Sequence, residues 1–224
     1  MSFDTGILRN PDMGIVVDFS HAETVESENM GPSLAAMSAI EAGSTANISE
    51  GRQVGHYWLR TPSKAPDEDT AQSIRETVDQ ILSLQVDHCD TVLMLGVGGS
   101  ALGPELAIDA LRNADGRRFL LIDTVDPSGI KRVLAEMNPQ RTVVLVASKS
   151  GGTAETMQML RIVEAAYVEA NVCFADHAIA ITCPGSSLEV LARSWLGVFP
   201  VWEWVGGRTS VTSAVGLLPM HLCG

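Results

Sequence analysis

The sequence predicts an α/β protein, with a doubly wound parallel sheet flanked by helices and an N-terminal helical arm. Four short apolar runs, nearly continuous in Val, Ile and Leu, lie at residues 91–96, 119–123, 142–148 and 178–182. Strands that are covered on both faces have such runs. Helical stretches separate them, and strands that alternate with helices are typical of a doubly wound sheet. A weak fifth strand is expected at 198–205.

The helices between these runs are expected near residues 103–113, 128–137 and 153–170, and another begins at Ser186. Ser186 and Glu189 have the spacing of a capping box, in which two side chains bind N–H groups at the start of a helix. The inner face of the third helix is expected to contain Met159, Ile162, Val163 and Ala166.

The first part of the chain has a different character. Scattered Gly, Pro, Asn and Ser up to about residue 66 indicate an N-terminal arm. Within it, Leu34, Met37 and Ile40 recur at helical spacing, and Gly43 stands where that helix would end. The arm is therefore expected to contain one short helix.

A clearer helix is expected at residues 70–86, where Asp69 and Gln72 have the spacing of a capping box. Its inner face is expected to contain Ile74, Val78, Ile81 and Leu82. We expect the arm and its helices to occupy residues 1–88 and the α/β domain to occupy residues 89–224.

The composition excludes several classes of function. The chain has 224 residues, of which 46% are apolar and 19% charged, as in a globular protein. It has neither an apolar run of membrane-spanning length nor a signal-peptide pattern, so no membrane partner and a cytoplasmic location are expected. The formal charge is -12, which would repel a nucleic acid backbone. A small anion would have to be bound by backbone N–H groups, hydroxyls and helix termini.

The cysteines and histidines give no sign of a metal or redox centre. The cysteines are far apart and lack C-x-x-C spacing, so the sequence indicates neither zinc nor a redox motif, and they are expected to be buried free thiols. They are Cys89, Cys173, Cys183 and Cys223. The histidines are expected on the surface or in the core. They are His21, His56, His88, His177 and His221.

A glycine-rich turn, GVGGSALG at 96–103, follows the first apolar run. Glycines let the backbone approach an anion closely, and the N–H groups at the start of the next helix point at it. Two alternatives stay open. With Asp123 at the end of the second run, the turn partly fits a dinucleotide site. The glycines could also serve only to pack the strand tightly against the helix.

The third run leads into SKSGGTAET at 148–156, just before the longest helical stretch. Hydroxyls and glycines at a helix N-terminus suit a phosphate monoester dianion in a protein with few basic residues. A helix cap is the simpler alternative, but Thr153 alone would suffice for it. Two loops suited to anions on one sheet favour a phosphorylated small molecule over a dinucleotide.

A third feature is Arg208, which follows two glycines after the fifth strand. Its rigid guanidinium could face an oxyanion in a cleft. The alternative is a structural ion pair with Glu203 or another acid.

Together, these segments resemble the glucose-6-phosphate isomerase family. GVGGSALGP at 96–104, SKSGGTAET at 148–156 and EWVGGRTSVTSAVGLLP at 203–219 are similar to three signatures of that family, in the same order. VGHYWLR at 54–60 is similar to a stretch of its bacterial members. The resemblance implies a sugar isomerase (SIS) domain at 89–224. It also implies interconversion of glucose 6-phosphate and fructose 6-phosphate through a cis-enediol, without a metal or cofactor.

The resemblance also implies roles for particular residues. Ser148, Ser150 and Thr153 would hold phosphate oxygens, with help from the backbone of Lys149. Gly99 and Ser100 would contact the sugar. Arg208 would stabilise the charge of the enediolate, which makes it the one catalytic residue expected in this chain.

The sequence departs from the family pattern in three ways. Many members have bulkier or hydroxylated residues where Gly151 and Gly152 stand, and an aromatic residue where Thr209 stands. The family's general base, a glutamate, and its ring-opening histidine and lysine lie beyond the third segment. The apolar run from Ala214 to Met220 ends without a cap and is expected to have no partner.

The chain is therefore expected to be a fragment with the first of two SIS domains. Alone it would bind weakly and turn over negligibly. For the full-length protein the resemblance suggests a homodimer. The alternatives are a lone SIS domain that senses a sugar phosphate and, less favoured, a nicotinamide-dependent oxidoreductase.

Overall fold

The computed structural model describes residues 2–4, 7–10, 15–18, 30–44, 46–48, 51–113 and 115–224. The chain divides into two compact units, residues 1–38 and 39–224. The first unit contains an antiparallel sheet in the order β1-β2-β3. Its strands are β1 (Ser2–Asp4), β2 (Ile7–Asn10) and β3 (Ile15–Asp18). The sequence prediction for the arm contained no strands.

The predicted arm helix is present as α1 (Met30–Glu41). The division between the two units, after residue 38, falls within this helix. Gly43 follows it at φ +93°, and its N–H donates to the carbonyl of Ile40. A left-handed glycine just after the last turn is a common helix ending, as predicted. Leu34 and Met37 are exposed.

The helix α2 (Glu68–Ser83) begins earlier than predicted. Asp67, rather than Asp69, is the N-cap, and its carboxylate accepts the Thr70 N–H at 2.7 Å. The predicted inner face is correct at Ile74 and Ile81, whereas Leu82 is 63% exposed. Leu82 lies one residue beyond the buried Ile81, and about 100° of helix rotation turns it toward solvent.

The second unit is built on five parallel strands in the order β5-β4-β6-β7-β8. The predicted parallel sheet is confirmed. The strands are β4 (Thr91–Leu95), β5 (Arg118–Ile122), β6 (Thr142–Ala147), β7 (Ala178–Thr182) and β8 (Gly197–Pro200). The last strand ends at Pro200 instead of continuing to residue 205, because the chain then turns, with the Val205 N–H donating to Trp202.

Helices cover both faces of this sheet. They are α3 (Leu102–Leu111), α4 (Pro127–Glu136), α5 (Ala154–Glu169), α6 (Ser187–Leu191) and α7 (Ala214–Cys223). Alternate residues of β4 point into two cores: Val92 joins Ile108 and Leu218, whereas Leu93 joins Met159. Both faces are therefore buried, which explains the continuous apolar runs.

The inner face of α5 differs slightly from the prediction. Met159 and Val163 are buried as expected, but Ile162 is 40% exposed. Leu160 and Tyr167 complete the buried face instead. The Tyr167 hydroxyl donates to the carbonyl of Thr142, which fixes this helix against the start of β6.

The expectation that the last apolar run has no partner was wrong. It forms α7, in which Val215, Leu218 and Leu222 are buried in the core that also contains α2 and α3 residues. The Nδ2 group of Asn113 donates to the carbonyl of Gly224 at 2.6 Å. No helix among the described residues is long and apolar enough to cross a membrane.

The strand order places a topological switch point between β4 and β6, because the chain leaves β4 toward one edge of the sheet and β6 toward the other. Ligands of such sheets bind outside the carboxyl ends of the strands at this point. The glycine turn follows β4 and the segment 148–153 follows β6. The fold thus brings the two predicted anion loops side by side.

Candidate functional site

A cavity of about 490 Å³ lies at the carboxyl ends of the central strands. Its walls come from the loops after β4, β6, β7 and β8. The lining residues are Val97, Ser100, Ala147, Ser148, Lys149, Ser150, Thr153, Thr156, Cys183, Pro184, Gly185, Ser186 and Glu203. Five of the predicted binding residues therefore line this cavity: Ser100, Ser148, Lys149, Ser150 and Thr153.

The loop after β6 is shaped by Gly151, which has φ +70° and donates its N–H to the carbonyl of Ser148 at 3.0 Å. A Cβ atom at Gly151 would lie 2.7 Å from the Cβ of Ser186. Glycine is thus required twice here, by the left-handed backbone and by the approach of the neighbouring loop. Gly152 has open space around it.

The neighbouring loop after β7 fixes this loop through its backbone. The Thr182 hydroxyl donates to the carbonyl of Ser148 at 2.7 Å, and the Cys183 N–H donates to the carbonyl of Lys149 at 3.0 Å. The Ser187 hydroxyl donates to the carbonyl of Gly151 at 2.8 Å. These bonds hold the donor groups of the loop in place before any ligand arrives.

Ser186 is a lining residue that the sequence prediction did not include in the site. It is the N-cap of α6, and its hydroxyl accepts the Glu189 N–H, as the predicted capping box requires. The Glu189 carboxylate accepts the N–H of Gly185 instead of that of Ser186. The Ser186 hydroxyl also lies 2.7 Å from that of Thr182. The capping signal was visible in the sequence, but the proximity to the first loop was not.

The N-terminus of α5 has no side-chain cap. Thr153 occupies the N-cap position, but its Oγ1 lies 2.9 Å from the Oγ of Ser148. Among α2 to α7, all in the described part of the chain, only α3 and α5 begin without a capping side chain. These are the helices that follow the two anion loops. Their first N–H groups are left available for an anion.

Thr156 adds a hydroxyl to which the sequence prediction gave no role. It lies in the first turn of α5, lines the cavity and is 1% exposed. Its Oγ1 is buried and has no hydrogen-bond partner among the described residues. An unsatisfied buried hydroxyl costs about 1–3 kcal/mol. Such a group in a cavity wall is placed to bind a polar ligand.

The side chain of Lys149 points at backbone carbonyls. Its Nζ donates to the carbonyls of Glu203 at 2.6 Å and Val205 at 2.9 Å. The Glu203 carboxylate lies 3.7 Å from the Sγ of Cys183. Burial and then this carboxylate raise the pKa of the Cys183 thiol. Through its two hydrogen bonds, the ammonium of Lys149 links the segment after β8 to the loop after β6.

The glycine turn after β4 packs closely against the segment that contains Arg208. A Cβ atom at Gly99 would lie 2.2 Å from the carbonyl oxygen of Gly207, and one at Gly103 would lie 3.2 Å from Val211. The Ser210 hydroxyl donates to the carbonyl of Gly99 at 3.2 Å. Gly99 and Gly103 thus allow tight packing against this segment, whereas a Cβ at Gly96 would lie 2.6 Å from the carbonyl oxygen of Ser100, just before α3.

Arg208 lines a second cavity, of about 520 Å³, and not the first. Its walls are Asn47, Arg52, Val54, His56, Gly99, Gly206, Gly207, Arg208 and Thr209. Adjacent residues of one turn face different cavities, since Ser100 lines the first and Gly99 the second. The alternative ion pair between Arg208 and Glu203 does not form; both residues are described and exposed.

His56 is the other distinctive group of this second cavity. Its Nδ1 is buried and has no hydrogen-bond partner within the described ranges. Burial, and to a smaller extent the charge of Arg60, lower the pKa of this imidazole. The cavity therefore combines the exposed guanidinium of Arg208 with an imidazole that favours its neutral form.

Asp123, the acid of the dinucleotide alternative, lines a separate cavity of about 290 Å³ beside α4. No residue of the glycine turn lines that cavity. The two parts expected of a dinucleotide site therefore do not share one cavity.

Comparisons with known proteins agree on one family. A family model described as phosphoglucose isomerase matches residues 29–224. The glucose-6-phosphate isomerase of Geobacter sulfurreducens is 42% identical over 246 residues, which cover 99% of this chain and 46% of that protein. That of Desulfitobacterium hafniense is 47% identical over 202 residues, which cover 83% of this chain and 38% of that protein.

Solved structures give the same result. The crystal structure of a glucose-6-phosphate isomerase from Chlamydia trachomatis matches with a TM-score of 0.77 and 28% identity, over 85% of this chain and 40% of that chain. The crystal structure of a hypothetical protein from Thermus thermophilus matches with a TM-score of 0.67 and 32% identity. The match covers 88% of this chain and 45% of that chain. The chain spans less than half the length of each of these four relatives.

Proposed function

Because this chain belongs to the phosphoglucose isomerase family, we propose that it supplies the phosphate site of an enzyme that interconverts glucose 6-phosphate and fructose 6-phosphate. One observation carries the proposal. The hydroxyls of Ser148, Thr153 and Thr156 line one cavity at the uncapped N-terminus of α5. This is a set of donors without a free cation, suited to a dianion in an acidic protein.

The hydroxyls contribute more to phosphate binding than the helix terminus does. A helix N-terminus stabilises an anion by about 0.3–1 kcal/mol, and by up to about 2 kcal/mol when partly buried. A hydrogen bond to a charged oxygen contributes about 1.5–3 kcal/mol. Two or three hydroxyl donors, with the N–H groups of the loop, therefore account for most of the affinity. Ser150 and the Lys149 N–H are the further donors that we propose.

The sugar end of the substrate is proposed to reach across the glycine turn. With the phosphate in the first cavity, Ser100 and Gly99 lead toward the second cavity and Arg208. The reaction moves a proton between C2 and C1, and the enediolate that forms carries negative charge on oxygen. A guanidinium that stays charged can stabilise that charge as it develops. This is the role that we propose for Arg208.

The acid and base groups of the reaction are proposed to lie outside this chain. Among the described residues that line the first cavity, Glu203 is the only carboxylate and no histidine is present. A general base contributes roughly 10²- to 10⁴-fold to the rate. The chain alone is therefore expected to bind the substrate and to isomerise it very slowly. The family membership also supports a cytoplasmic homodimer as the form in which the whole enzyme acts.

The test is a calorimetric titration of the chain with fructose 6-phosphate, fructose, inorganic phosphate and NAD. We expect binding of fructose 6-phosphate and phosphate, and none of fructose or NAD. Thr153→Val should weaken fructose 6-phosphate binding about tenfold to a hundredfold, as expected for the loss of one charge-assisted hydrogen bond. Thr61→Val is the matched control, because Thr61 is exposed and away from the cavity.

Equal affinity of wild type and Thr153→Val would contradict the phosphate site. Binding of NAD in place of fructose 6-phosphate would favour the oxidoreductase alternative. A coupled assay tests the acid-base proposal separately. Isomerisation by the chain alone at an ordinary enzyme rate, abolished by Glu203→Gln, would show that Glu203 is the base.

A further inference from the structure

We propose that His88, Cys89 and His177 form a binding site for one Zn²⁺ ion at the end of the sheet opposite the sugar phosphate cavity. The three residues each offer one ligand atom, and these atoms all lie within 4.8 Å of one another. They include a thiol and two imidazoles, which zinc binds in both structural and catalytic sites. The site is independent of the proposed isomerase function.

The topology places this cluster away from the first cavity. His88 and Cys89 lie just before β4, separated from it by Asp90, and His177 directly precedes β7. Both strands flank β6, so the cluster sits where the parallel strands begin. The lining residues of the first cavity stand where these strands end. A metal at one end of the sheet would therefore not contact a substrate at the other end.

The distances suit zinc after small side-chain adjustments. Ligands at about 2.0–2.3 Å from a tetrahedral ion stand roughly 3.3–3.8 Å apart. The ligand atoms of the three residues lie within 4.8 Å of one another, and the rings of His88 and His177 have centroids 5.1 Å apart. Cys89 and His177 are 4% and 8% exposed, whereas His88 is exposed. The cluster thus has two fixed ligands and one that can close over an ion arriving from solvent.

His177 has the outer partner that metal-binding histidines usually have. Its Nδ1 lies 3.0 Å from the carbonyl oxygen of Thr142. When Nδ1 donates its proton there, Nε2 carries the lone pair that a metal requires. The same carbonyl also accepts the Tyr167 hydroxyl at 2.8 Å. This arrangement fixes the imidazole ring in the absence of a metal.

The charged groups around the cluster are mostly engaged with other partners. Asp90 binds Arg141, with Oδ2 and Nε 2.6 Å apart. Arg117 donates its Nε to the carbonyl of Cys89 at 2.9 Å and its Nη1 to that of Leu222 at 2.8 Å. Neither guanidinium is among the ligand groups. The charged side chains beside the cluster are therefore already paired with other groups.

The donor set selects the class of metal. One sulfur and two imidazole nitrogens are a poor match for Mg²⁺ or Ca²⁺, which take oxygen ligands. They suit Zn²⁺, which accepts three protein ligands and a water molecule in a tetrahedral shell. Zinc has no d-electron preference for another geometry, so an incomplete set of three ligands does not exclude it.

The sequence did not reveal this cluster because its third member is distant along the chain. His88 stands next to Cys89, but His177 follows 88 positions after Cys89. Zinc motifs are recognised by pairs of ligands at short spacing in two places. Here the sheet, rather than a local loop, brings the second histidine to the cysteine.

The experiment is equilibrium dialysis of the chelator-treated 224-residue chain against Zn²⁺, with the bound metal measured by elemental analysis. We expect one zinc per chain. We expect the affinity to fall at least about tenfold in Cys89→Ser and in His88→Gln, since even outer partners of metal ligands contribute 10- to 100-fold. His88 is exposed, so His88→Gln should leave the fold intact. Cys173→Ser, an exposed cysteine elsewhere, is the matched control and should bind as wild type does.

Co²⁺ provides a second readout of the ligands. The wild-type chain loaded with Co²⁺ should show a thiolate charge-transfer band, and Cys89→Ser should lack it. The proposal is overturned if the wild type takes up no zinc. It is equally overturned if Cys89→Ser and His88→Gln bind zinc as tightly as wild type, because the metal would then lie elsewhere.

Discussion

The hydroxyl of Thr153 lies 2.9 Å from the hydroxyl of Ser148, although Thr153 occupies the position from which a side chain would cap α5. This pairing leaves the first N–H groups of the helix without a side-chain partner. It also places two hydroxyls at the same point of the cavity wall. The loop therefore forgoes a cap that contributes about 1 kcal/mol to a typical helix. In exchange it presents donors for an anion.

Gly151→Ala should destabilise the protein and abolish phosphate binding. The left-handed backbone disfavours alanine by about 1–2 kcal/mol, and the new Cβ would clash with Ser186. We expect the free energy of unfolding to fall by about 2 kcal/mol or more, as measured by urea denaturation. Gly152→Ala is the control, because nothing lies within 4 Å of its Cβ position. Comparable losses in both variants would contradict this account of the loop.

Thr156→Val should have opposite effects on stability and on binding. The buried hydroxyl has no partner among the described groups, so an isosteric methyl should leave the free energy of unfolding unchanged or raise it by about 1 kcal/mol. Fructose 6-phosphate affinity should fall if the hydroxyl binds the phosphate. Thermal unfolding and calorimetry measure the two effects.

The matched control for this variant is Thr77→Val in α2. The Thr77 hydroxyl is buried and donates to the carbonyl of Ser73 at 2.8 Å. Its loss should destabilise the protein by about 0.5–1.5 kcal/mol and leave ligand affinity unchanged. Equal destabilisation in both variants would mean that Thr156 has a partner after all.

The sheet could be predicted from the sequence because its physical cause is local to each strand. A strand buried on both faces is apolar at nearly every position, and the runs beginning at residues 91, 142 and 178 are apolar except at Thr91, Thr142 and Thr182. The hydroxyl-rich loop after β6 could also be predicted, since Ser148 and Thr153 flank glycines at a helix start. Because β4 and β6 are neighbours in the sheet, the loops that follow them line one cavity.

The remaining features depend on distant parts of the chain and left no local signal. Thr156 was in the recognised motif, but only the packing of α5 buries its hydroxyl without a partner. Arg208 was predicted to face an oxyanion in a cleft, but no sequence pattern indicated that the close contact of Gly99 with Gly207 places it at a second cavity. All four cysteines were predicted to be buried, as free cysteines usually are. Cys173 is instead exposed, because it lies in the turn after α5.

This exposure predicts that one thiol reacts much faster than the other three. Cys173 is exposed, whereas burial raises the pKa of Cys89 and Cys223 to about 11 and also raises that of Cys183. The thiolate is the reactive form, so the buried thiols should be slow. A chromogenic disulfide reagent should give one fast equivalent in the native chain, which Cys173→Ser removes. A fast phase that persists in Cys173→Ser would refute the prediction.

The same thiols predict a loss of stability at alkaline pH. In the unfolded chain a thiol titrates near its ordinary pKa of 9.0, whereas Cys89 and Cys223 titrate at about 11 in the folded chain. Between these values the unfolded state binds fewer protons, so stability falls as pH rises. The stability that these protonated thiols contribute is fully present below pH 9.0 and is lost as the pH rises toward 11. Urea midpoints across this window should decline less steeply in Cys223→Ala, and an unchanged slope would contradict the assignment.

Arg208→Gln should separate the two ends of the proposed substrate. Arg208 does not line the first cavity, so the affinity for inorganic phosphate should stay within about twofold of wild type. A phosphorylated sugar analogue with a planar, anionic hydroxamate in place of C1 and C2 mimics the enediolate. Its affinity should fall about 10²- to 10³-fold, the usual effect of removing one oxyanion donor. Arg193→Gln, an exposed arginine that lines neither cavity, is the control and should bind both ligands normally. Equal loss of both ligands in Arg208→Gln would place the guanidinium at the phosphate, and no loss of either would remove Arg208 from the site.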